Sequence, residues 1–291
     1  MPNIHPQENS YVIDQESGAE MARLVDLDHM ATRHMGGLFP PHLDLSTVHT
    51  ILDVACGPGG WVQEVAFAHR DKQVLGIDIS AAMLEYARAQ AKVQGLKNTQ
   101  FQFMDATSSL TFPDASFDFV NARFTVGFLW KEAWPHLIAE YARILRPGGI
   151  LRLTETDSAG IGITSSLALE KYVKLIGRAL FRTGRTFCPA EEGGHFGITP
   201  RLRGFLSQAG LQQIHEYPHM INYSAGMEGY SQNTKNLQVA LKLMEPFFQK
   251  TGAATKEELE QLHQQMMVEM FQQDFCGIWY FMSITGQKPL S

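Results

Sequence analysis

The sequence has 291 residues, a formal net charge of −6, 44% hydrophobic residues and 19% charged residues. Those values suit one large globular domain, or a domain with a substantial insertion. They exclude a basic surface built for nucleic acid or anionic lipid. Three cysteines, Cys56, Cys188 and Cys276, stand far apart with no CxxC pairing, which argues against a disulfide framework or a structural zinc site. The opening "MPNIHPQENSYVIDQ" has neither the positive start nor the apolar run of a signal peptide. No apolar stretch approaches the roughly 18 residues of a membrane span. A cytoplasmic chain with no membrane segment is expected.

From residue 50 short apolar runs alternate with helical periodicity. "TILDVA" (50–55) reads as a strand, "GWVQEVAFAH" (60–69) as a helix and "QVLGIDI" (73–79) as a strand. A helix follows over 81–94, then strands over 99–106 and 116–124, a helix over 135–145 and a strand over 149–156. "RPGG" (146–149) is read as turn chemistry. Strands alternating with helices predict crossover connections, hence an α/β fold with a doubly wound, Rossmann-like, mainly parallel sheet. After Asp157 the rhythm breaks. An amphipathic helix over 165–182 precedes a glycine-rich loop, "CPAEEGGHFGITP" (188–200), and a helix over 200–211. A strand over 212–224 carries Pro218, which places it at an edge or bulge. Residues 228–273 are helical and 275–285 close the chain as a strand.

The loop after the first strand, "CGPGG", has almost no side chains, as expected where something approaches the backbone closely. A dinucleotide fingerprint needs G-x-G-x-x-G. Gly57 and Gly59 fill its first two places, but the third falls on Val62 beside Trp61. Asp78 ends the second strand 21 positions beyond Gly57, where a carboxylate accepts ribose hydroxyls. Asp105 ends the third strand, placed for an adenine amine. Asp53, inside the first strand, is placed to orient the loop or to meet an ammonium group. A ligand with adenosine at one end and an amino acid at the other satisfies this set, and that is S-adenosylmethionine.

"ILDVACGPGG", "VLGIDIS", "FMDATSSLTFPDASFDFV", "NARF" and "RILRPGGILRLTETD" resemble successive motifs of class I S-adenosylmethionine-dependent methyltransferases, in the small-molecule branch that includes ubiquinone/menaquinone-type and natural-product enzymes. "YVIDQESGAEMARL" and "WYFMSITGQKP" resemble that branch more loosely. The resemblance implies a cofactor set of Asp53, Ala55, Gly57, Gly59, Asp78, Ile79, Asp105, Ala106 and Asn121. Gly57 and Gly59 would lie at the methionine part, Ile79 and Ala106 beside the base, and Asn121 would face the sulfonium. The implied organisation is an N-terminal cap or lid (1–48), a cofactor-binding core (49–157) and a helical insertion (158–200). A return to the core (201–225), a helical cap insertion (226–273) and a final strand with its tail (274–291) complete it.

The expected reaction is in-line methyl transfer to a small, largely apolar or aromatic acceptor. The alternative is a protein of this fold that binds the cofactor without catalysis or catalyses a non-methylating reaction. A nicotinamide dehydrogenase is disfavoured by Val62 and by Asp105. A nucleic-acid methyltransferase is disfavoured by the acidic balance and by "NARF" where such an enzyme has an NPPY-like stretch. Acceptor contacts are expected from Tyr11, Phe124, Tyr172, Phe196 and Tyr223, with Trp130, Phe187 and Trp279 as further aromatic candidates. His195, beside Glu191 and Glu192, is the candidate general base, and Gly193–Gly194 a hinge for an opening roof. His29/His34 and His215/His219 are the only histidines close in sequence, no third ligand accompanies them, and no metal is expected. The sequence leaves the oligomeric state open.

Overall fold

A computed structural model describes residues 11–14, 16–41 and 43–290. The first ten residues of the expected 1–48 cap, and Ser291 of the expected tail, lie outside the described residues.

The first element is a helix absent from the periodicity reading, α1 (Gly18–His34). Its N-cap is Ser17, whose hydroxyl accepts from the Glu20 N–H. The alternating region follows as β1 (Thr50–Val54), α2 (Gly60–Ala68), β2 (Gln73–Asp78), α3 (Ala81–Val93), β3 (Thr99–Phe103), β4 (Phe117–Arg123), α4 (Trp134–Ile144) and β5 (Leu145–Glu155). Then come β6 (Ile163–Thr164), α5 (Leu167–Arg182), α6 (Leu202–Gln208), β7 (Gln212–Asn222), α7 (Tyr230–Leu243), α8 (Glu245–Lys250), α9 (Lys256–Met270) and β8 (Gly277–Gln287). "RPGG" lies inside β5, not before it. Leu145 pairs with Phe117, and the register shifts before Ile150 meets Phe119. Gly148 takes a φ of +79° in that irregular stretch.

The strands form one sheet in the order β3-β2-β1-β4-β5-β8, with β7 on β8 and β6 pairing at the start of β8. The pairs among β3, β2, β1, β4 and β5 are parallel, and β8 runs antiparallel to both β5 and β7. This is the doubly wound sheet that the strand–helix alternation predicts. Pro218 pairs with Met282 on β7, an edge strand, as the proline predicts.

Helices α2 and α3 pack on β2 and β3, while α4 and α6 lie against β5, β7 and β8. On the α2 side, Trp61, Val62 and Val65 join Ile51 and Phe119 in an apolar layer. The remaining helices form a cap in which α1 packs on α7, and α5 packs on α8 and α9. Side chains cap the N-termini of α5 and α9. Ser166 accepts from the Leu169 N–H in α5, and Thr255 forms a capping box with Glu258 in α9. The chain order reverses between β1 and β4, so the crevice at their C-terminal ends is the expected ligand position in an open α/β sheet.

Candidate functional site

A cavity of about 240 Å³ opens at that crevice and runs up beneath the cap. The β1–α2 loop forms its floor. Ala55 (φ +54°), Gly57 (φ +53°) and Gly59 (φ +77°) are all left-handed, a conformation cheap for glycine and strained for alanine. Ala55 and Gly57 line the cavity. A Cβ on Gly57 would meet nothing closer than Leu24 Cδ1 at 3.8 Å, itself a lining atom. Gly59 does not reach the cavity. Its missing Cβ makes room for Phe101, which would stand 2.7 Å away, and for Ala87 at 2.9 Å.

Asp78 belongs to the loop as much as to the cavity. Its Oδ2 accepts the Gly57 N–H and its Oδ1 the Ser80 N–H, each at 2.8 Å, and burial pushes its carboxyl pKa upward. With the Ile79 N–H also bonded to it, the carboxylate keeps lone-pair capacity for a ligand hydroxyl. Asp105 forms an Asx turn in which Oδ1 accepts the Thr107 N–H (2.8 Å) and hydroxyl (2.7 Å). Ile79, Ala106 and Met104 line the same end. Asp53 is 4% exposed and accepts from Asn121 Nδ2 at 2.6 Å. Burial raises its pKa to about 7, with Arg123 opposing the shift.

Asn121 itself is buried below the cavity and not in it. Its Oδ1 accepts from Arg152 Nε at 2.7 Å, and Arg152 Nη1 reaches the Leu38 carbonyl at 2.5 Å. The expected sulfonium-facing position is therefore a link in a buried Asp53–Asn121–Arg152 chain. Arg152 stacks over Trp61 at 5.0 Å, and burial, then Arg123, lowers its pKa to about 9.

The other half of the cavity is lined from β4, β8, the cap and the segment before α1. Phe124 is held at φ +56° directly after β4. Its N–H is taken by the Thr154 carbonyl at 2.8 Å, while the Glu155 carboxylate accepts the Thr125 N–H at 2.7 Å and the Val126 N–H at 3.3 Å. Strain of this kind persists only where the surroundings over-determine it. Here it sets the Phe124 ring among lining residues, 5.7 Å from Trp279. Phe196, Ile176, Leu180 and Met244 continue the apolar wall. Tyr11 is also in the lining, with its hydroxyl donating to Glu20 Oε1 at 2.8 Å.

Three residues of the expected acceptor and base set lie elsewhere. Tyr172 is fully buried, and its hydroxyl has no hydrogen-bond partner among the described residues. It packs against Phe248 as core. Tyr223 donates to the Ile161 carbonyl at 2.6 Å and fills the space over Gly277. His195 is exposed and outside the cavity, with Nε2 3.9 Å from Cys188 Sγ. Its loop is tied to α5. Gly193 closes on Cys188 and on Gly177 of α5, and Arg178–Glu192 (2.8 Å) and Arg182–Glu191 (2.5 Å) tie it down. Of the further aromatic candidates, Trp279 lines the cavity, whereas Trp130 and Phe187 do not. No histidine lines it among the described residues. Nor do three metal-ligating side chains cluster anywhere among them.

Sequence reasoning missed Arg23, Leu24, Leu27 and Asp28 of α1, and Arg123, Thr156 and Asn236. Asp28 sits over Gly60 and pairs with Arg123, joining α1 to the end of β4. The spacing 20, 23, 24, 27, 28 marks one helix face. Because that face carries Glu20, Arg23 and Asp28, an apolar periodicity does not reveal it.

Residues 51–149 match the methyltransferase domain family. Proteins named demethylmenaquinone methyltransferase are similar over most of their length. One from Bacillus cereus is 26% identical over 200 residues, covering 66% of this chain and 82% of that protein. One from Lactiplantibacillus plantarum is 28% identical over 188 residues, covering 63% and 78%. The crystal structure of a putative methyltransferase from Bacillus halodurans covers 94% of this chain and 100% of its own, with a TM-score of 0.51 at 16% identity. The fold and glycine loop, with the sequence matches, define a class I methyltransferase. Together these matches support an S-adenosylmethionine-dependent enzyme of that class.

Proposed function

We propose that the enzyme methylates a small, largely apolar or aromatic acceptor held under the cap, with the cofactor across the β1–α2 loop. One observation carries this reading: a single cavity joins the glycine loop and the Asp78 and Asp105 carboxylates to a mostly apolar half walled by Phe124, Trp279 and Phe196. Bound S-adenosylmethionine supplies an electrophilic methyl on a sulfonium. In this reading Gly57 leaves the loop open to close approach, Asp78 meets the ribose hydroxyls, Asp105 the adenine amine and Asp53 the α-ammonium. Ile79 and Ala106 border the base. The cap excludes water and limits the acceptor's freedom, which favours displacement in line with the methyl. Phe124 and Trp279 offer ring faces that favour positive charge nearby. Relatives named demethylmenaquinone methyltransferase fit a ring-bearing apolar acceptor.

The net charge of −6 favours a small acceptor over a nucleic-acid chain. No helix of the described residues is long and apolar enough to cross a membrane. All three cysteines are free, which suits a reducing compartment such as the cytoplasm. The test is S-adenosylhomocysteine release over a panel of phenols, amines, heteroaromatics and hydroxyquinones, with the product identified by mass. Release confined to apolar ring acceptors is expected. Release only with peptides or oligonucleotides, or with none of the panel, would overturn the reading.

A further inference from the structure

Besides the paired Asp28 and Arg123, the cavity lining carries a charged pole on its acceptor side. Arg23 is 9% exposed and faces the cavity from α1, with Asn236, 6% exposed, beside it on α7. The guanidinium is locked from behind. Its Nε donates to Glu20 Oε2 at 2.7 Å and one Nη2 hydrogen to Glu20 Oε1 at 2.6 Å. Nη2 also donates to Tyr11 Oη at 3.5 Å, and Nη1 donates to Asn236 Oδ1 at 2.8 Å. A guanidinium has five N–H hydrogens, so one on Nη1 has no partner among the described residues. Asn236 spends its oxygen on Arg23, and its Nδ2 makes one long contact, 3.4 Å to Asn233 Oδ1. At least one Nδ2 hydrogen is therefore also without a partner there.

The acceptor groups of this pole are already taken. Glu20 is fully buried, does not line the cavity and receives Arg23 and Tyr11. Thr156, another polar residue in this half, accepts from Trp279 Nε1 at 2.8 Å and donates to the Tyr280 carbonyl at 3.2 Å. What Arg23 and Asn236 present is a pair of donors in an apolar surround, and unpaired buried donors select strongly for an oxygen that satisfies them. We propose that Arg23 and Asn236 are acceptor-positioning residues that bind a carbonyl or ionised oxygen on an apolar, ring-bearing acceptor. This rests on the acceptor lying in the capped half, as proposed above.

The experiment uses the full chain saturated with S-adenosylhomocysteine and measures binding by calorimetry. Three probes serve: 2-acetylnaphthalene, its isostere 2-isopropenylnaphthalene in which the oxygen is CH₂, and 2-naphthoate. The wild type is expected to bind the ketone about tenfold or more tightly than the alkene, a single satisfied hydrogen bond's worth. The ranking of naphthoate against the ketone then says whether the natural oxygen is anionic or neutral. Glu20→Gln/Arg23→Met, which removes both charges together, and Asn236→Leu should each cut the preference below threefold. Both should keep S-adenosylhomocysteine affinity within threefold. Should the double variant not fold, Asn236→Leu carries the expectation. Equal binding of ketone and alkene by the wild type, or a preference that survives every variant, would overturn the assignment. Probes that displace S-adenosylhomocysteine instead would overturn the two-ended reading of the cavity, and with it this inference.

Discussion

A carboxylate 4% exposed at the cavity floor, as Asp53 is, feels burial and a prospective ligand in opposite senses. Burial lifts its pKa from the ordinary value of about 3.9 to about 7. A raised carboxyl favours its neutral form in the fold, so its stabilising contribution is present at low pH and is lost as pH rises towards 7. An ammonium ligand needs the ionised form. S-adenosylmethionine should therefore bind more tightly as pH rises from about 6 to 7.5, short of the α-amino group's own pKa near 8. Asp53→Asn should flatten that slope and raise the melting temperature at pH 7.5. A slope unchanged in Asp53→Asn would remove Asp53 from the ammonium's contacts. Asp78 also receives the Gly57 and Ser80 N–H groups. Asp78→Ala should weaken S-adenosylmethionine binding about tenfold or more and also lower the melting temperature. Unchanged affinity would contradict its proposed ribose role.

At the scale of elements, glycines two residues apart do different work. Gly59→Ala puts a methyl against Phe101 and Ala87, between α2 and its neighbours, at a φ of +77°. It should cost about 1–3 kcal/mol of stability, the range for overpacking with backbone strain, and a denaturant melt with an unshifted midpoint would contradict that packing role. Tyr172 on α5 gives the reverse case. Its orphan hydroxyl is a burden on the fold, so Tyr172→Phe should leave acceptor KM unchanged and hold or raise the melting temperature. A shifted KM would return Tyr172 to the acceptor site.

The elements also show what the sequence discloses. The run from β1 to β5 is legible because short apolar or alternating strands are punctuated by turn and cap signals such as the CGPGG loop and Ser80. Asp53, Gly57, Asp78 and Asp105 are found from strand ends and loop composition alone. Helix α1 is not, because its inward face is ionic. Tyr172, Tyr223 and His195 mislead for a related reason: a residue type suited to a site reads the same in a core or a surface loop. Only tertiary placement separates Phe124, turned into the cavity by a strained backbone, from Tyr223, turned onto the Ile161 carbonyl.

For the whole molecule, the sheet ends supply one half of the cavity and the cap supplies much of the other. The two functions should therefore separate under mutation. Phe124→Ala and Phe196→Ala should raise acceptor KM several-fold or change the position methylated, with S-adenosylmethionine affinity held within a few-fold. The claim beneath all of this is that the β1–α2 loop and its carboxylates form the S-adenosylmethionine site. Its most direct test is a calorimetric titration of S-adenosylmethionine into the wild-type chain and into Gly57→Val, whose fold is checked by circular dichroism. One cofactor bound per wild-type chain and none bound by folded Gly57→Val is the expected result. Full-affinity binding by folded Gly57→Val, or no binding by the wild type, would contradict it.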